Sequence, residues 1–199
     1  MSKASQLGTQ LHRVLHAIDQ ANSHDPNRER VDGQELPKEL LYGQRMSERL
    51  NIFCSEAPEH LQIAARAQHI ERWTSPRNLY PPGRAGYKKW RAELGLYHAQ
   101  RAGELMAEHG YSPKDIERVR FLIQKRQLRR DNDTQTLEDV ICLVFIEYYL
   151  ADFAEKHPQD KLIDIIQKTW KKMSAKGHEA ALQLPLRKDL QTLLLETLT

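Results

Sequence analysis

The most apolar segment of the chain reads LEDVICLVFI over residues 137–146. Apolar side chains fall on nearly every face of this segment, which predicts a helix buried at the centre of a helical bundle. Elsewhere, apolar residues recur at three- and four-residue steps, the spacing of amphipathic helices. The first of these helices is predicted to bury a stripe made of Leu7, Leu11, Val14, Leu15 and Ile18.

The other predicted helices are separated by proline, glycine and short polar turns. They follow Pro37, run from about Pro58 to Trp73, from Tyr87 to His109 and from Ser112 to Arg126, and follow Pro158 and Pro185. No strand-like alternation of period two stands out. The sequence therefore predicts an all-α fold of about seven to eight helices, a single domain over residues 1–199, with an irregular loop at residues 74–86.

The composition is typical of a globular protein. Of 199 residues, 40% are hydrophobic and 29% are charged, and the mean hydropathy is -0.70. Two cysteines, Cys54 and Cys142, are too few for a disulfide scaffold. No run approaches the roughly 18 apolar residues that a membrane span needs, and the start MSKASQLGTQ is too polar for a signal peptide. We therefore expect a cytoplasmic protein without membrane association.

The net charge of +3 averages over unlike parts of the chain. Residues 66–91 hold seven basic residues and one acidic residue, and residues 112–130 hold seven basic and two acidic residues. These segments carry +6 and +5, so that the rest of the chain carries −8. A basic centre of this strength indicates an anionic partner.

Three residues form a candidate metal site. His69 and His98 are predicted in helices that pack in the core, and Asp139 lies in the most apolar helix, where an unpaired carboxylate is costly to bury. Two imidazoles and a carboxylate from three helices would suit a divalent transition metal ion. The alternative is a neutral histidine that is hydrogen-bonded to a buried carboxylate.

A run of basic and aromatic side chains begins three residues after His69 and leads into the helix of His98. Arginine binds phosphate in a bidentate manner, and aromatic rings stack on bases or sugar rings. This pattern indicates a phosphorylated or nucleotide ligand; the alternative is a surface loop that its aromatic residues pin to the bundle. The candidate ligand-binding residues are Arg72, Trp73, Arg77, Tyr80, Arg84, Tyr87, Trp90 and Arg91.

Several motifs resemble one family over nearly the whole chain. They read PKELLYGQRM at residues 37–46, AARAQHIERW at residues 64–73 and LEDVICLVF at residues 137–145. Shorter matches are Pro76-Arg77, Tyr80-Pro81, Gly86-Tyr87 and Trp90-Arg91. These motifs resemble the family called domain of unknown function 4202.

More distantly, the order of features is similar to that of the HD-domain phosphohydrolases. The segment of His69 takes the place of their His-Asp helix, Asp139 takes the place of their last aspartate, and His98 resembles an extra histidine found between the two in some members. The resemblance implies an HD-like bundle with one divalent ion bound by these three residues, which would activate water for attack. Glu138 and Arg72 would be catalytic, in proton transfer and in stabilising the transition state.

Our leading hypothesis is a metal-dependent phosphohydrolase that acts on a nucleotide or another phosphorylated small molecule. The alternative is a binding module, without catalysis, for RNA or another anionic ligand. That module would use the same loop together with the basic segment from Lys114 to Arg130, and its affinity would fall steeply with added salt.

Overall fold

A computed structural model describes residues 8–198 of the chain. Within this part, the predicted all-α fold is confirmed, with one short hairpin as the exception. Leu7, the first position of the predicted stripe, lies outside the described residues. The described residues form ten α-helices and two strands, α1 (Gln10–Ser23), β1 (Arg28–Val31), β2 (Gln34–Pro37), α2 (Lys38–Phe53), α3 (Glu59–Arg66), α4 (Gly83–Glu108), α5 (Pro113–Ile123), α6 (Asn132–Val144), α7 (Leu150–Lys156), α8 (Gln159–Trp170), α9 (Ala175–Leu182) and α10 (Lys188–Leu198).

The contacts divide the described chain into two compact units. The first unit comprises the chain up to Glu48 together with Glu56–Arg126, and the second comprises Arg49–Ser55 together with the chain from Gln127 onward. The single domain over residues 1–199 stays a prediction.

The hairpin of β1 and β2 was not predicted. The strands pair antiparallel, with Val31 opposite Gln34, and Asp32 and Gly33 form the turn with φ angles of 49° and 82°. Two residues with positive φ make the tight turn that matches the twist of a hairpin, and Asp-Gly is a preferred pair for it. The sequence signal for the hairpin is therefore the Asp32-Gly33 dipeptide. The two strands of four residues each are too short and too polar to show an alternation of period two.

Four helices of the first unit build its core. The helix α5 packs against both α3 and α4, and α1 packs against the same two helices. The Ser112 side chain accepts a hydrogen bond from the Asp115 N–H, so that the predicted N-cap of α5 is confirmed. Core side chains with at most 2% exposure include Val14, Ile63, Ala64, Leu94 and Val119.

The helix α3 ends earlier than predicted, and α4 begins earlier than predicted. The helix α3 ends at Arg66 rather than Trp73, so His69 lies in a turn and not inside a helix. The turn reaches Glu71, whose φ of 50° is left-handed and whose N–H donates to the Asn22 side chain. Two short 3₁₀ helices follow, and α4 then begins at Gly83 rather than at Tyr87.

The second unit contains the apolar helix, α6. Leu137, Val140 and Leu143 are fully buried, which confirms a helix buried on nearly all sides. One π-helical turn at Phe145–Tyr149 links α6 to α7, while α6 packs on α9 and α8 packs on α7 and α10. The described part holds ten helices rather than seven or eight because this turn divides the apolar helix and because α9 was not predicted.

Candidate functional site

Two buried polar side chains from the end of α1 fix the segments that carry the site. Asp25 is fully buried, and its carboxylate accepts hydrogen bonds from the backbone N–H groups of Asn27 and Glu39 at 2.9 and 3.0 Å. Asn22 accepts from the Glu71 N–H at 2.9 Å and donates to the Glu39 carbonyl at 3.4 Å. The start of α2 and the turn after α3 are thereby tied to the same two side chains.

Replacing Asp25 with alanine is expected to lower the free energy of unfolding by about 2–4 kcal/mol, because buried N–H donors lose their acceptor. Urea denaturation followed by circular dichroism measures this loss. The matched control is Glu56→Ala, which removes an exposed carboxylate and should change stability by less than about 0.5 kcal/mol. Equal stability of both variants would contradict a structural role for Asp25.

His69 lies close to a carboxylate, a guanidinium and an aromatic ring. Its ring stacks on Tyr42 with centroids 3.9 Å apart and planes inclined by 13°. Its Nδ1 lies 3.2 Å from Glu39 Oε2, and Arg72 Nη1 lies 3.1 Å from its Nε2. Arg72 Nη1 also lies 3.2 Å from His69 Nδ1, and because a guanidinium only donates, a neutral imidazole offers it the lone pair of whichever ring nitrogen carries no hydrogen.

The charges around Glu39 and His69 are mostly positive. Burial lowers the pKa of His69 well below 6.5, and the cations Arg72, Arg91, Lys125 and Lys38 lower it further. Burial also raises the pKa of Glu39, against the opposing effect of Arg72, Lys38 and His98. Four cations therefore act on His69, Arg72 and Lys38 also act on Glu39, and the lowered pKa favours a neutral imidazole.

His98 presents an unpartnered lone pair. The residue is 3% exposed, and its Nδ1 lies 2.7 Å from the Ile70 carbonyl oxygen, so that Nδ1 must donate the hydrogen. Burial, and then the nearby His69, lower the pKa of His98 to about 3, while the bond to Ile70 opposes the change. Its Nε2 is buried and has no hydrogen-bond partner among the described residues. In the neutral ring this nitrogen is an acceptor.

The shifted pKa of His98 is expected to make the fold sensitive to acid. Below pH 6.5 the unfolded chain binds a proton that folded His98 does not take up until about pH 3, so stability falls as pH falls through that window. Between pH 7 and pH 4 the wild type should lose about 3 kcal/mol more than His98→Asn, whose amide still donates to the Ile70 carbonyl.

Urea denaturation at both pH values gives the difference between the two proteins. Exposed His16, replaced with asparagine, serves as the control and should retain the acid sensitivity of the wild type. Identical pH profiles for wild type and His98→Asn would contradict a neutral, buried His98.

A cavity of about 320 Å³ in the first unit is lined by both histidines. Arg91 has no hydrogen bond or ion pair within residues 8–198, and its charge is therefore available to a ligand. Gln68 is 5% exposed, and its Oε1 is buried without a hydrogen-bond partner among the described residues. The polar residues that line the cavity are Gln68, His69, Arg91, His98, Gln124 and Lys125.

Part of the loop of basic and aromatic residues is held by its own contacts. Arg77 donates to the carbonyl oxygens of Tyr80, Pro81 and Gly83, and Trp90 Nε1 donates to the Ser75 carbonyl at 2.9 Å. The Arg77 bonds lie within the loop and its junction with α4, and the Trp90 bond joins the loop to α4.

The other loop positions differ in exposure. Arg72 lies 5.2 Å above the Trp90 ring as well as against His69, and Trp73 is half-buried. Arg84 and Tyr87 are exposed. A glycine is required at position 86, because a Cβ atom there would lie 1.9 Å from the Pro81 carbonyl oxygen. Among the candidate ligand-binding residues, Arg91 lines the cavity and Arg72 contacts one of its histidines.

The predicted carboxylates Asp139 and Glu138 lie in the second unit. Asp139 accepts from Ser174 N–H at 2.8 Å, from Ser174 Oγ at 2.6 Å and from Gln135 Nε2 at 3.1 Å. It thus holds the residue that caps α9. Glu138 is 2% exposed, with its Oε1 3.7 Å from Lys172 Nζ.

The three predicted metal ligands differ in whether their ligating atoms already have partners. Both ring nitrogens of His69 and the carboxylate of Asp139 have other partners, and only His98 Nε2 is without one. Within residues 8–198, no group of three or more His, Cys, Asp or Glu residues is arranged to hold a metal ion. The divalent ion therefore stays a prediction, and no step proposed below passes through it.

Comparison with known proteins places the chain in one family. The family model described as Domain of unknown function (DUF4202) matches residues 12–194. Neither a curated protein nor a solved structure matches the chain, and the likeness to HD-domain phosphohydrolases stays a prediction. Among residues 8–198, no helix has both the length and the apolar character that crossing a membrane requires. The match over residues 12–194 spans most of the sequence, and the chain therefore belongs to the family described as domain of unknown function DUF4202.

Proposed function

We propose that this protein is a phosphohydrolase that binds a phosphorylated small molecule in the cavity of the first unit. The observation that carries the proposal is the excess of positive charge around His69, whose side chain is 14% exposed and lines the cavity. Cations gathered in a concave, partly dehydrated site attract an anion more strongly than the same charges do in water. A volume of about 320 Å³ is at the lower end of small-molecule sites, which favours a compact ligand over a polymer.

Arg72 and Arg91 bind the phosphate in this proposal. Arg91 lines the cavity and has no competing acid among the described residues, and Arg72 contacts His69, which also lines the cavity. Guanidinium groups donate two parallel hydrogen bonds to phosphate oxygens, and they stabilise charge that develops on those oxygens during transfer. Lys125 adds a further positive charge to the cavity wall.

His69 and Glu39 form the acid–base pair. Arg72 Nη1 lies 3.1 Å from His69 Nε2, and a phosphate that draws the guanidinium onto its own oxygens frees this nitrogen. The same phosphate offsets the surrounding cations and raises the pKa of His69, which makes the imidazole a better base. Glu39 orients the ring and stabilises the imidazolium once it forms.

The chemical step is hydrolysis of a phosphate ester. Water attacks phosphorus, so that a bond from phosphorus to the water oxygen forms and the ester P–O bond breaks. His69 takes a proton from the attacking water and returns it to the departing alcohol oxygen. Placement of cations where charge develops is the main contribution that a protein makes to this reaction.

A divalent ion remains part of the proposal only as a prediction from sequence. Metal analysis of the purified protein tests it, together with phosphatase assays in the presence of a chelator. We also place the protein in the cytoplasm, and what supports this is that Cys54 and Cys142 are not joined in a disulfide, as is usual in a reducing compartment.

Binding and hydrolysis together test the proposed function. Isothermal titration calorimetry with inorganic phosphate should give saturable binding, and a panel of phosphate monoesters should release phosphate. RNA binding is the alternative outcome. It would appear as a strongly salt-dependent association with single-stranded RNA, without saturable binding of phosphate. Absence of both phosphate binding and hydrolysis would overturn the phosphohydrolase proposal.

A further inference from the structure

Two buried acceptors in the cavity have no donor. His98 Nε2 carries a lone pair, because the Ile70 carbonyl fixes the hydrogen on Nδ1. Gln68 Oε1 is the second acceptor, and both side chains are at least nine-tenths buried. Buried polar atoms in proteins almost always have a partner, so an unpaired pair in one cavity indicates a missing ligand group.

The missing group must be a donor. Cations from the protein do not meet this need, because neither acceptor has a hydrogen-bond partner within the described residues. The phosphate group of a monoester dianion does not meet it either, since its oxygens only accept. A ligand that pairs with both acceptors directly carries O–H or N–H groups in addition to the phosphate that the arginines bind.

The cavity wall favours hydroxyl groups over a nucleobase. Apart from the two histidines, no aromatic residue lines the cavity within the part of the chain that the structure describes. One face of His69 is covered by Tyr42, and the Trp90 indole is held by Ser75 and Arg72. A base normally requires an aromatic platform, whereas a sugar requires hydrogen-bonding side chains such as Gln68, Gln124 and His98.

We propose that the substrate is a sugar phosphate, whose hydroxyl groups donate to His98 Nε2 and Gln68 Oε1 while its phosphate lies against Arg91. This assignment rests on the proposed function and narrows its substrate class. His98 and Gln68 are then positioning residues that bind the sugar, whereas the arginines bind the phosphate.

Four probe ligands test the assignment on the wild-type protein: inorganic phosphate, methyl phosphate, glucose 6-phosphate and adenosine monophosphate. Calorimetry should give an affinity for glucose 6-phosphate about tenfold or more above that for methyl phosphate, as expected for two added hydrogen bonds. Hexose phosphates that lack single hydroxyl groups should lose part of this gain. These comparisons need no variant, so they hold even where a substitution disturbs folding.

Two variants show which residues produce the higher affinity for glucose 6-phosphate. Gln68→Leu and His98→Phe each remove one acceptor at similar size, and each should reduce the affinity ratio of glucose 6-phosphate to methyl phosphate several-fold. The exposed residue Gln100, replaced with leucine, should leave the ratio as in the wild type. Thermal unfolding of each variant verifies that it is folded.

The possible failures are distinguishable. If methyl phosphate and glucose 6-phosphate bind equally, bound water supplies the donors and the sugar assignment is overturned, while the proposed function stands. Tighter binding of adenosine monophosphate than of glucose 6-phosphate would overturn it in favour of a nucleotide. If no phosphate compound binds, including inorganic phosphate, the proposed function itself fails.

Discussion

Replacing Arg91 with glutamate is expected to lower the affinity for inorganic phosphate by about 100-fold or more. The substitution removes a charge-assisted hydrogen bond worth about 1.5–3 kcal/mol and adds a repulsive carboxylate, and each 1.4 kcal/mol is a factor of ten in affinity. Arg91 carries this effect because it lines the cavity and has no competing acid among the described residues. Isothermal titration calorimetry at constant ionic strength measures the change.

Arg84→Glu is the matched control for Arg91→Glu. It makes the same charge change at an exposed position of the same basic segment. The affinity of this control for phosphate should fall by less than about threefold, since water and salt screen an exposed charge from an anion in the cavity. Equal losses in both variants would contradict a cavity site and would favour diffuse attraction of an anionic polymer.

Replacing His69 with glutamine is expected to lower the turnover number for phosphate esters by about 10²–10⁴-fold, the usual contribution of a general base. Glutamine keeps hydrogen-bonding capacity toward Glu39 and Arg72 but does not carry the proton of the attacking water. Steady-state kinetics on the most active monoester measures the loss. His16→Gln alters an exposed histidine and should leave turnover unchanged.

A companion variant separates orientation from proton transfer. Glu39→Gln retains the contact with His69 Nδ1 but loses the charge that stabilises imidazolium, so a smaller loss of about 10- to 100-fold in turnover is expected. Unchanged turnover in His69→Gln, with phosphate affinity intact, would contradict the catalytic role of His69. The protein would then be a binding module for the phosphorylated ligand.

The helical part of the fold could be predicted because its signals are local. Periodic apolar residues mark the helices, and Ser112 caps α5 as expected. The end of α3 could not be predicted in this way. Residues 67–73 continue a helical pattern, but the chain follows turns after Arg66 and reaches Glu71, whose backbone is left-handed and whose N–H donates to Asn22, a residue 49 positions earlier. Tertiary hydrogen bonds of this kind override local propensity.

Candidate site residues could be predicted by type but not by partner. His69 and His98 stood out as polar residues in apolar surroundings, and both line one cavity. Asp139 stood out for the same reason, yet its carboxylate is bonded to Ser174, 35 residues later in the chain. No pattern in the sequence relates a buried acid to a hydroxyl at that separation.

Glu39 was missed, although the sequence carried a signal for it. Glu39, Tyr42 and Met46 follow one another at helical spacing, and all three are buried. A carboxylate on the buried stripe of a helix needs a partner, because an unpaired charge is costly to bury, and this holds for Glu39 as it does for Asp139. Gln68 gave no comparable signal, because an uncharged amide is common both in cores and on surfaces.

An imidazole ¹⁵N NMR titration with inorganic phosphate tests the central claim most directly, because it reports on all nine histidines of the chain separately. If phosphate binds in the cavity, the resonances of His69 and His98 shift with a common saturation curve, and the pKa of His69 rises as the phosphate offsets the four surrounding cations. His16 and His178 should remain unchanged. Saturable phosphate binding that leaves His69 and His98 unshifted would contradict the account.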